Sequence, residues 1–133
     1  MRGGLTGEIG RGLCVFLGIA QRDTPENARR LAEKVTQLRI FPDPNGKMNL
    51  SLKEVAGELL IVSQFTLYGD TRGGNRPSYA EAAKPELAKQ LYEVFINSCR
   101  ERCPRVATGS FQAQMEVRLT NDGPVTLMCY SGE

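Results

Sequence analysis

Residues 59–67 read Leu-Leu-Ile-Val-Ser-Gln-Phe-Thr-Leu and form the densest β-favouring run of the sequence. Branched and aromatic side chains such as these pack well on a pleated surface and are enriched in strands. The run is also short and bounded by polar residues, as expected for a buried strand rather than a helix. We therefore predict that it is the central strand of a sheet.

Gln64 is the unexpected residue of this strand. If the strand continues to Tyr68, Ser63, Phe65 and Leu67 face one side, and Gln64 shares the opposite face with Thr66 and Tyr68. A buried amide costs about 1–3 kcal/mol when its hydrogen bonds are unmatched. Two interpretations stay open: Gln64 and Thr66 face solvent on a half-exposed strand, or they contact a ligand.

The segments on either side alternate between strand and helix patterns. Thr24 is a good N-cap followed by Pro25 at the first helical position, and the apolar spacing continues to about Arg39. Pro104 stops a second long helical pattern. This succession of strand and helix patterns indicates a single α+β domain over residues 1–133. The remaining elements that we predict are a strand at 13–19, a turn at 42–46, a loop at 69–78, a helix at 80–102 and strands at about 115–120 and 125–130.

Composition sets broad limits. The 133 residues are 41% hydrophobic and 24% charged, which suits one globular domain. No run approaches the roughly 18 apolar residues of a membrane helix, and the N-terminus has no signal-peptide core. We expect a cytoplasmic protein without membrane contact. A formal net charge of only +2 means that any RNA contact must come from a local basic patch.

The sequence contains no histidine. A Ser-His-Asp triad, a Cys-His pair and a His-ligated zinc site are therefore excluded. Four cysteines form no CxxC pair; Cys99 and Cys103 share a helix face but lack a second pair of ligands. We interpret them as structural or incidental thiols and expect no metal and no cofactor.

Asn121-Asp122-Gly123-Pro124-Val125-Thr126 has two interpretations. All four leading residues are ordinary turn formers, so a plain hairpin turn is one. A Gly-Pro bond is also where a cis peptide is least unfavourable, and a glycine lets bare backbone approach a ligand closely. The second interpretation is that Gly123 and Pro124 present main chain to a substrate.

The loop from Thr71 to Tyr79 also has two interpretations. Arg72 and Arg76 in a Gly-rich loop suit phosphate contacts, and Tyr79 suits stacking on a base. Arginine and glycine are equally common in surface loops without a ligand. Pattern alone leaves both readings open.

Taken in order, residues 63–68, Arg76-Pro77-Ser78 and residues 121–126 resemble the signatures of the D-aminoacyl-tRNA deacylase family. Two further segments also resemble the sequence of this family: residues 46–51 and the stretch from Thr108 to Met115. The resemblance covers nearly the whole sequence from about Gly4. It implies a mostly antiparallel, barrel-like sheet with two main helices, and it implies that the family's usual first strand is missing here, so that the sequence begins with the next strand at about 4–10.

The resemblance also implies an activity. Members are homodimers that hydrolyse the ester joining a D-amino acid, or glycine, to the terminal adenosine of tRNA, as a proofreading step. Gly123 and Pro124 would form a cis dipeptide that enters the partner's active site and excludes L side chains. The partners expected are aminoacyl-tRNA and a second copy of the chain, and not DNA.

The resemblance assigns roles to the site residues as well. The terminal ribose 2′-hydroxyl would assist water, and the backbone N–H groups of Phe65 and Thr66 would stabilise the oxyanion. A rival role, Thr66 as nucleophile, lacks an obvious side-chain base. The remaining positions that the resemblance identifies are Ser63, Gln64, Met115, Gly123 and Pro124 for the substrate, and Arg72 and Arg76 for tRNA.

Three departures from the family pattern stand out: the missing first strand, whose arginine supports the Gly-Pro dipeptide, Gly73 where a lysine is common, and Gln112 in place of a glycine. The alternative function is a non-catalytic module that binds tRNA ends or a partner.

Overall fold

The structure, a computed structural model, describes residues 5–131. Two α-helices and five strands follow one another with a 3₁₀ helix after the fourth strand. In order these are β1 (Gly12–Leu17), α1 (Pro25–Gln37), β2 (Phe41–Pro42), β3 (Met48–Leu50), β4 (Glu58–Ser63), the 3₁₀ helix (Phe65–Tyr68), α2 (Pro85–Arg100) and β5 (Val106–Thr108).

The larger sheet has three strands in the order β1-β4-β5, and both of its pairings are parallel. Among the strands that residues 5–131 form, the β2-β3 pair alone is antiparallel, and two isolated antiparallel bridges join Ala20 to Ala82 and Asp70 to Ser78. The α+β class and the two helices are confirmed, but the expectation of a mostly antiparallel, barrel-like sheet is wrong for the described residues. The reason is the connections: α1 lies between β1 and β4, and α2 between β4 and β5, and such crossovers return the chain in the same direction.

Both helices begin at a proline. Thr24 caps α1, since its side chain accepts from the N–H of Asn27 while the Asn27 side chain accepts from the N–H of Thr24. The predicted start of α2 at residue 80 is wrong. Pro85 occupies its first position, where its missing N–H costs no intrahelical bond, and residues 80–84 precede it as turn and coil.

The central strand is confirmed, but it ends at Ser63. Gln64 leaves the extended conformation with φ −142° and ψ 80°, and the next four residues form the 3₁₀ helix. The alternating faces expected for residues 63–68 are therefore wrong beyond Ser63. The β-favouring composition of Phe65 to Leu67 is overridden by the turn that the chain makes at the edge of the sheet.

One apolar core lies between the larger sheet and the two helices. Leu59 and Ile61 of β4 are fully buried against Leu91 and Phe95 of α2. Burying such side chains is worth about 1.5–3 kcal/mol each. The hydroxyl of Tyr92 donates to the carbonyl of Ile61 at 3.0 Å, which fixes α2 on the central strand.

The two final strands predicted at 115–120 and 125–130 are not formed in the described chain, and residues 5–9 of the strand expected at 4–10 are not a strand either; Gly4 lies outside the described residues. An extended segment becomes a strand only when a neighbour takes its N–H and C=O groups. Within residues 5–131 no strand pairs with 109–131. Several large apolar side chains of this segment are exposed, namely Val117, Leu119, Leu127, Met128 and Tyr130.

None of the helices formed by residues 5–131 is both long and apolar enough to cross a bilayer.

Gly12 tests the pairing of β1 with β4. A Cβ placed on Gly12 would lie 1.8 Å from the carbonyl oxygen of Glu58. We expect Gly12→Ala to lower the free energy of unfolding by about 3 kcal/mol or more, because backbone on both strands must shift. Urea unfolding measures this. Gly73→Ala is the control, since nothing lies within 4 Å of its new methyl group; equal stabilities of the two variants would contradict the pairing.

Candidate functional site

The carboxyl ends of β1, β4 and β5 meet at one edge of the sheet. The N–H of Gln64 donates to the carbonyl of Leu17 at 2.7 Å, and the N–H of Gly109 donates to the carbonyl of Ile61 at 3.1 Å. The chain therefore leaves all three strands side by side. In open sheets of parallel strands, ligands bind outside this edge, which makes it the candidate site.

The 3₁₀ helix begins at this edge directly after Gln64. Leu67 donates its N–H to the carbonyl of Gln64 at 3.2 Å, and Gly69 donates to the carbonyl of Thr66 at 2.9 Å. The N–H groups of Phe65 and Thr66 precede the first acceptors of the helix, and within residues 5–131 no backbone carbonyl takes them. Two adjacent backbone donors therefore remain available at the sheet edge.

Gln64 and Thr66 contact each other directly. The side-chain amide of Gln64 donates to the hydroxyl oxygen of Thr66 at 2.5 Å. Gln64 is half-buried and Thr66 is exposed. The structure thus brings these two predicted residues together beside Ser63, although not on the face of a strand.

Gly18 determines how closely the 3₁₀ helix lies on the end of β1. A Cβ at Gly18 would lie 3.2 Å from the Cβ of Leu67 and 3.2 Å from the ring of Tyr68. The sequence interpretation did not include Gly18. Its signal was a glycine inside the strand predicted at 13–19, which marks the close approach of another segment.

The loop after the 3₁₀ helix folds back onto it. The ring of Phe65 meets the ring of Tyr79 edge to face, with centroids 5.1 Å apart. Asp70 and Ser78 exchange backbone hydrogen bonds of 2.8 and 2.9 Å that close the loop between them. The loop therefore begins and ends beside Phe65.

Asp70 binds Arg72, which the sequence interpretation had assigned to tRNA. The carboxylate accepts from the guanidinium at 2.9 and 2.8 Å and from the backbone N–H of Arg72 at 2.9 Å. These bonds lower the pKa of Asp70 to about 2. Arg76, the other predicted tRNA residue, is exposed and forms no ion pair within the described chain. The available signal was the Asp-Thr-Arg spacing, which allows an Asp side chain to accept from the backbone two residues on.

Met115 lies near the same edge. Its sulfur would be 2.7 Å from a Cβ on Gly109, and Cγ1 of Val62 would be 3.9 Å from the same Cβ. Met115 thus lies beside Gly109, directly after β5. Of the predicted substrate residues, Ser63 and Gln64 lie at the end of β4, and Met115 packs against the residue that follows β5.

Gly123 and Pro124 are joined by a cis peptide bond, as the second interpretation of this turn expected. The turn is held by Asn121, whose side chain accepts from the N–H of Val125 at 3.3 Å and donates to the hydroxyl of Thr126 at 2.9 Å. Both residues of the dipeptide are exposed. No hydrogen bond among the described residues joins this turn to Ser63, Gln64 or Met115.

A cavity of about 160 Å³ lies on the helix side of the sheet, between Tyr68, Phe95 of α2 and Tyr130. None of the predicted site residues lines it. Cys99 and Cys103 are buried, and burial raises the pKa of Cys99 to about 12, which suits inert thiols. In the part of the chain that is described, no three Cys, Asp or Glu side chains form a group that would hold a metal ion.

Comparison with known proteins identifies the family of this chain. The family model described as D-Tyr-tRNA(Tyr) deacylase matches residues 1–130. A relative from Thermosipho africanus named D-aminoacyl-tRNA deacylase is 57% identical over 128 residues, covering 96% of this chain and 86% of the relative. One from Thermotoga petrophila with the same name is 55% identical over 127 residues, covering 96% and 85%.

Two solved structures share the fold. A protein named c-Myc DNA Unwinding Element Binding Protein superimposes with a TM-score of 0.83 at 39% identity, over 90% of this chain and 81% of that one. A probable eukaryotic D-amino acid tRNA deacylase gives 0.70 at 21% identity, over 83% and 80%. The chain therefore has the fold of an aminoacyl-tRNA deacylase. By sequence it belongs to the D-Tyr-tRNA(Tyr) deacylase family.

The Asp70–Arg72 pair gives a pH prediction. The folded-state pKa of Asp70 lies below the model-compound value of 3.8, so the stabilisation of the loop is present above about 3.8 and is lost as pH falls through about 2. We expect the carboxyl ¹³C signal of Asp70 to titrate near 2, and to titrate closer to 3.8 in Arg72→Gln, which removes the guanidinium but keeps the backbone N–H of residue 72. Arg76→Gln is the matched control and should leave the titration in place; a shift there instead would refute the assignment.

Proposed function

We propose that this chain hydrolyses the ester bond of D-aminoacyl-tRNA, releasing a free D-amino acid and tRNA, with glycyl-tRNA as a second substrate. The observation that carries the proposal is the family match over residues 1–130, which includes the segment at the carboxyl edge of the parallel strands. Curated relatives at 57% and 55% identity bear the name of this activity.

The two backbone donors of the 3₁₀ helix stabilise the oxyanion. Ester hydrolysis develops negative charge on the carbonyl oxygen, and the N–H groups of Phe65 and Thr66 are adjacent and not taken up by the backbone. Removing one such donor typically costs about a hundredfold or more in rate. The chain has no histidine, so the terminal ribose 2′-hydroxyl of the tRNA assists the attacking water.

Ser63 and Gln64 hold the adenosine end, and Met115 is a further substrate contact. The support is that Ser63 and Gln64 lie at the end of β4 and that Met115 packs against Gly109, directly after the neighbouring strand β5. Arg76 contacts the tRNA backbone. Arg72 contributes to tRNA binding less, because Asp70 already neutralises it.

Gly123 and Pro124 select the D form by acting on the site of a second copy of the chain. Their exposure in this chain supports an action in trans. The segment that carries them also exposes Leu119, Leu127 and Tyr130 at 53%, 56% and 63%. Soluble monomers rarely leave large contiguous apolar patches uncovered, and a homodimer would cover this one. Where an L-amino acid carries its side chain, a D-amino acid or glycine carries only a hydrogen atom. The main chain of the dipeptide leaves room for that hydrogen but not for an L side chain.

The stereochemical test compares release of D-tyrosine and L-tyrosine from tyrosyl-tRNA. We expect release from the D form at least about a hundredfold faster, the margin that a clash costing about 3 kcal/mol provides, with EDTA having no effect. Binding of D-tyrosyl-tRNA without release would support the alternative, a non-catalytic tRNA-end module. Equal cleavage of both forms would contradict chiral selection.

Gly123→Ala tests the dipeptide within the same assay. The new methyl group would lie 3.2 Å from the N–H of Val125 at a φ of +149°, so we expect D-substrate turnover to fall at least tenfold as the turn is displaced. The matched control is Gly74→Ala, which has a similar φ of +156° but open space around it. A comparable loss in the control would assign the effect to backbone strain alone.

Replacements at Phe65 separate the backbone donor from the side chain. Phe65→Ala and Phe65→Pro both lose the ring contact with Tyr79, but only proline removes the N–H. Proline fits the first position of a helix, and Gln64 before it is outside the helical region. We expect Phe65→Pro to be about a hundredfold slower than Phe65→Ala in kcat. Equal rates would refute the role of this N–H.

Thr66→Ala tests whether the hydroxyl of Thr66 acts as a nucleophile. The Thr66 hydroxyl accepts from Gln64, and no carboxylate or amine of the described chain hydrogen-bonds to it. We therefore expect kcat of Thr66→Ala to stay within about tenfold of the unmodified chain, less than general-base activation contributes. A complete loss with unchanged tRNA affinity and thermal stability would favour a nucleophilic Thr66 instead.

A further inference from the structure

A groove of about 650 Å³ opens at the other end of the molecule, between the last turns of α1 and α2 and the turn that precedes β4. Thr36 and Gln37 contribute the α1 side, and Cys103 and Pro104 lie where the chain turns from α2 towards β5. Since β4 runs from Glu58 to Ser63, this groove lies at the amino edge of the sheet, and the candidate site lies at the carboxyl edge.

The groove is basic. Arg39, Lys53, Arg100 and Arg102 line it, against two carboxylates, Glu54 and Glu101. The sequence has 17 basic and 15 acidic residues, so the rest of the chain holds 13 of each. The groove therefore accounts for the whole formal charge of +2. It is the local basic patch that a nearly neutral RNA-binding chain requires.

Two of these four cations have no ionic partner among the described residues. Lys53 and Arg100 form no ion pair within residues 5–131, and Arg39 donates to the neutral side chain and backbone carbonyl of Asn49. Arg102 is the exception, since it pairs with Glu33 at 3.2 Å.

The carboxylate of Glu54 is engaged locally. It accepts from the N–H of Ser51 at 2.9 Å, and this bond lowers its pKa. The positive charge of Arg39 lowers the pKa of Glu54 as well, so Glu54 partly offsets Arg39.

We propose that this groove binds backbone phosphates of the tRNA acceptor stem while the candidate site holds the 3′ end; the inference rests on the proposed function. The six residues of β4 span about 17 Å at about 3.3 Å per residue. The terminal adenosine of tRNA is joined to the first base pair of the acceptor stem by the unpaired CCA end. A groove at this distance from the candidate site therefore faces the start of the stem.

The test uses the double variant Lys53→Gln/Arg100→Gln and two substrates. One is a D-tyrosyl minihelix, a hairpin of the acceptor stem with its CCA end, and the other is D-tyrosyl-adenosine. We expect kcat/KM on the minihelix to fall about tenfold and kcat/KM on the nucleoside to stay unchanged. The control Lys47→Gln/Lys89→Gln removes the same charge from exposed positions outside the groove and should change neither.

A binding measurement with a minihelix that carries no amino acid separates the groove proposal from the proposed function, because this binding requires no turnover. The slope of log Kd against log salt concentration should decrease by about 1–2 in the groove variant, the value for one or two lost phosphate contacts. If the unmodified chain shows no turnover, that result counts against the proposed hydrolase activity and not against the groove proposal.

Two outcomes would overturn the groove proposal. Basic residues at helix ends also stabilise the helix dipole, so a lower Tm with unchanged minihelix binding would assign these cations to stability. An unchanged Kd and an unchanged salt slope for the minihelix in the groove variant, with an unchanged Tm, would refute phosphate binding by the groove.

Discussion

The parallel pairing of β1 with β4 organises the molecule. The two strands run in register from Gly12 with Glu58 to Leu17 with Ser63, so that both end at the same level. The last bond of this pairing, from the N–H of Gln64 to the carbonyl of Leu17, is also the first bond of the candidate site. Because β5 adds on the other side of β4 in the same direction, three chain exits converge there. The position of the site therefore follows from the direction of the strands more than from any single side chain.

The sequence predicted the elements that local physics determines. Thr24 and Pro25 defined the start of α1 because capping involves only neighbouring residues, and residues 59–63 defined the central strand because their composition and burial agree. Strand direction could not be predicted in this way, since it depends on how α1 and α2 return the chain. The strands expected at 115–120 and 125–130 show the same difficulty, because an extended pattern does not specify its partner.

The sequence predicted which residues lie at the candidate site but not how they are arranged. Ser63, Gln64, Phe65 and Thr66 do lie together, but in a 3₁₀ turn that exposes backbone donors rather than on one strand face. Asp70 was missed because ion pairing with Arg72 depends on the conformation of the loop. Gly123 and Pro124 have the expected cis bond, and no hydrogen bond among the described residues joins their turn to Ser63, Gln64, Phe65 or Thr66. A site that depends on main chain leaves few side-chain signals, which is consistent with a chain that has no histidine.

The topology of the larger sheet also constrains how the protein folds. The paired residues Gly12 and Glu58 are 46 positions apart, and Leu59 and Val106 are 47 apart. Such distant contacts close large loops before they gain any stabilising energy, and chains rich in them fold slowly. A ribosome must therefore deliver most of the polypeptide before the central strand acquires both neighbours. Formation of the carboxyl edge of the sheet, where the candidate site lies, is consequently a late, largely post-translational event.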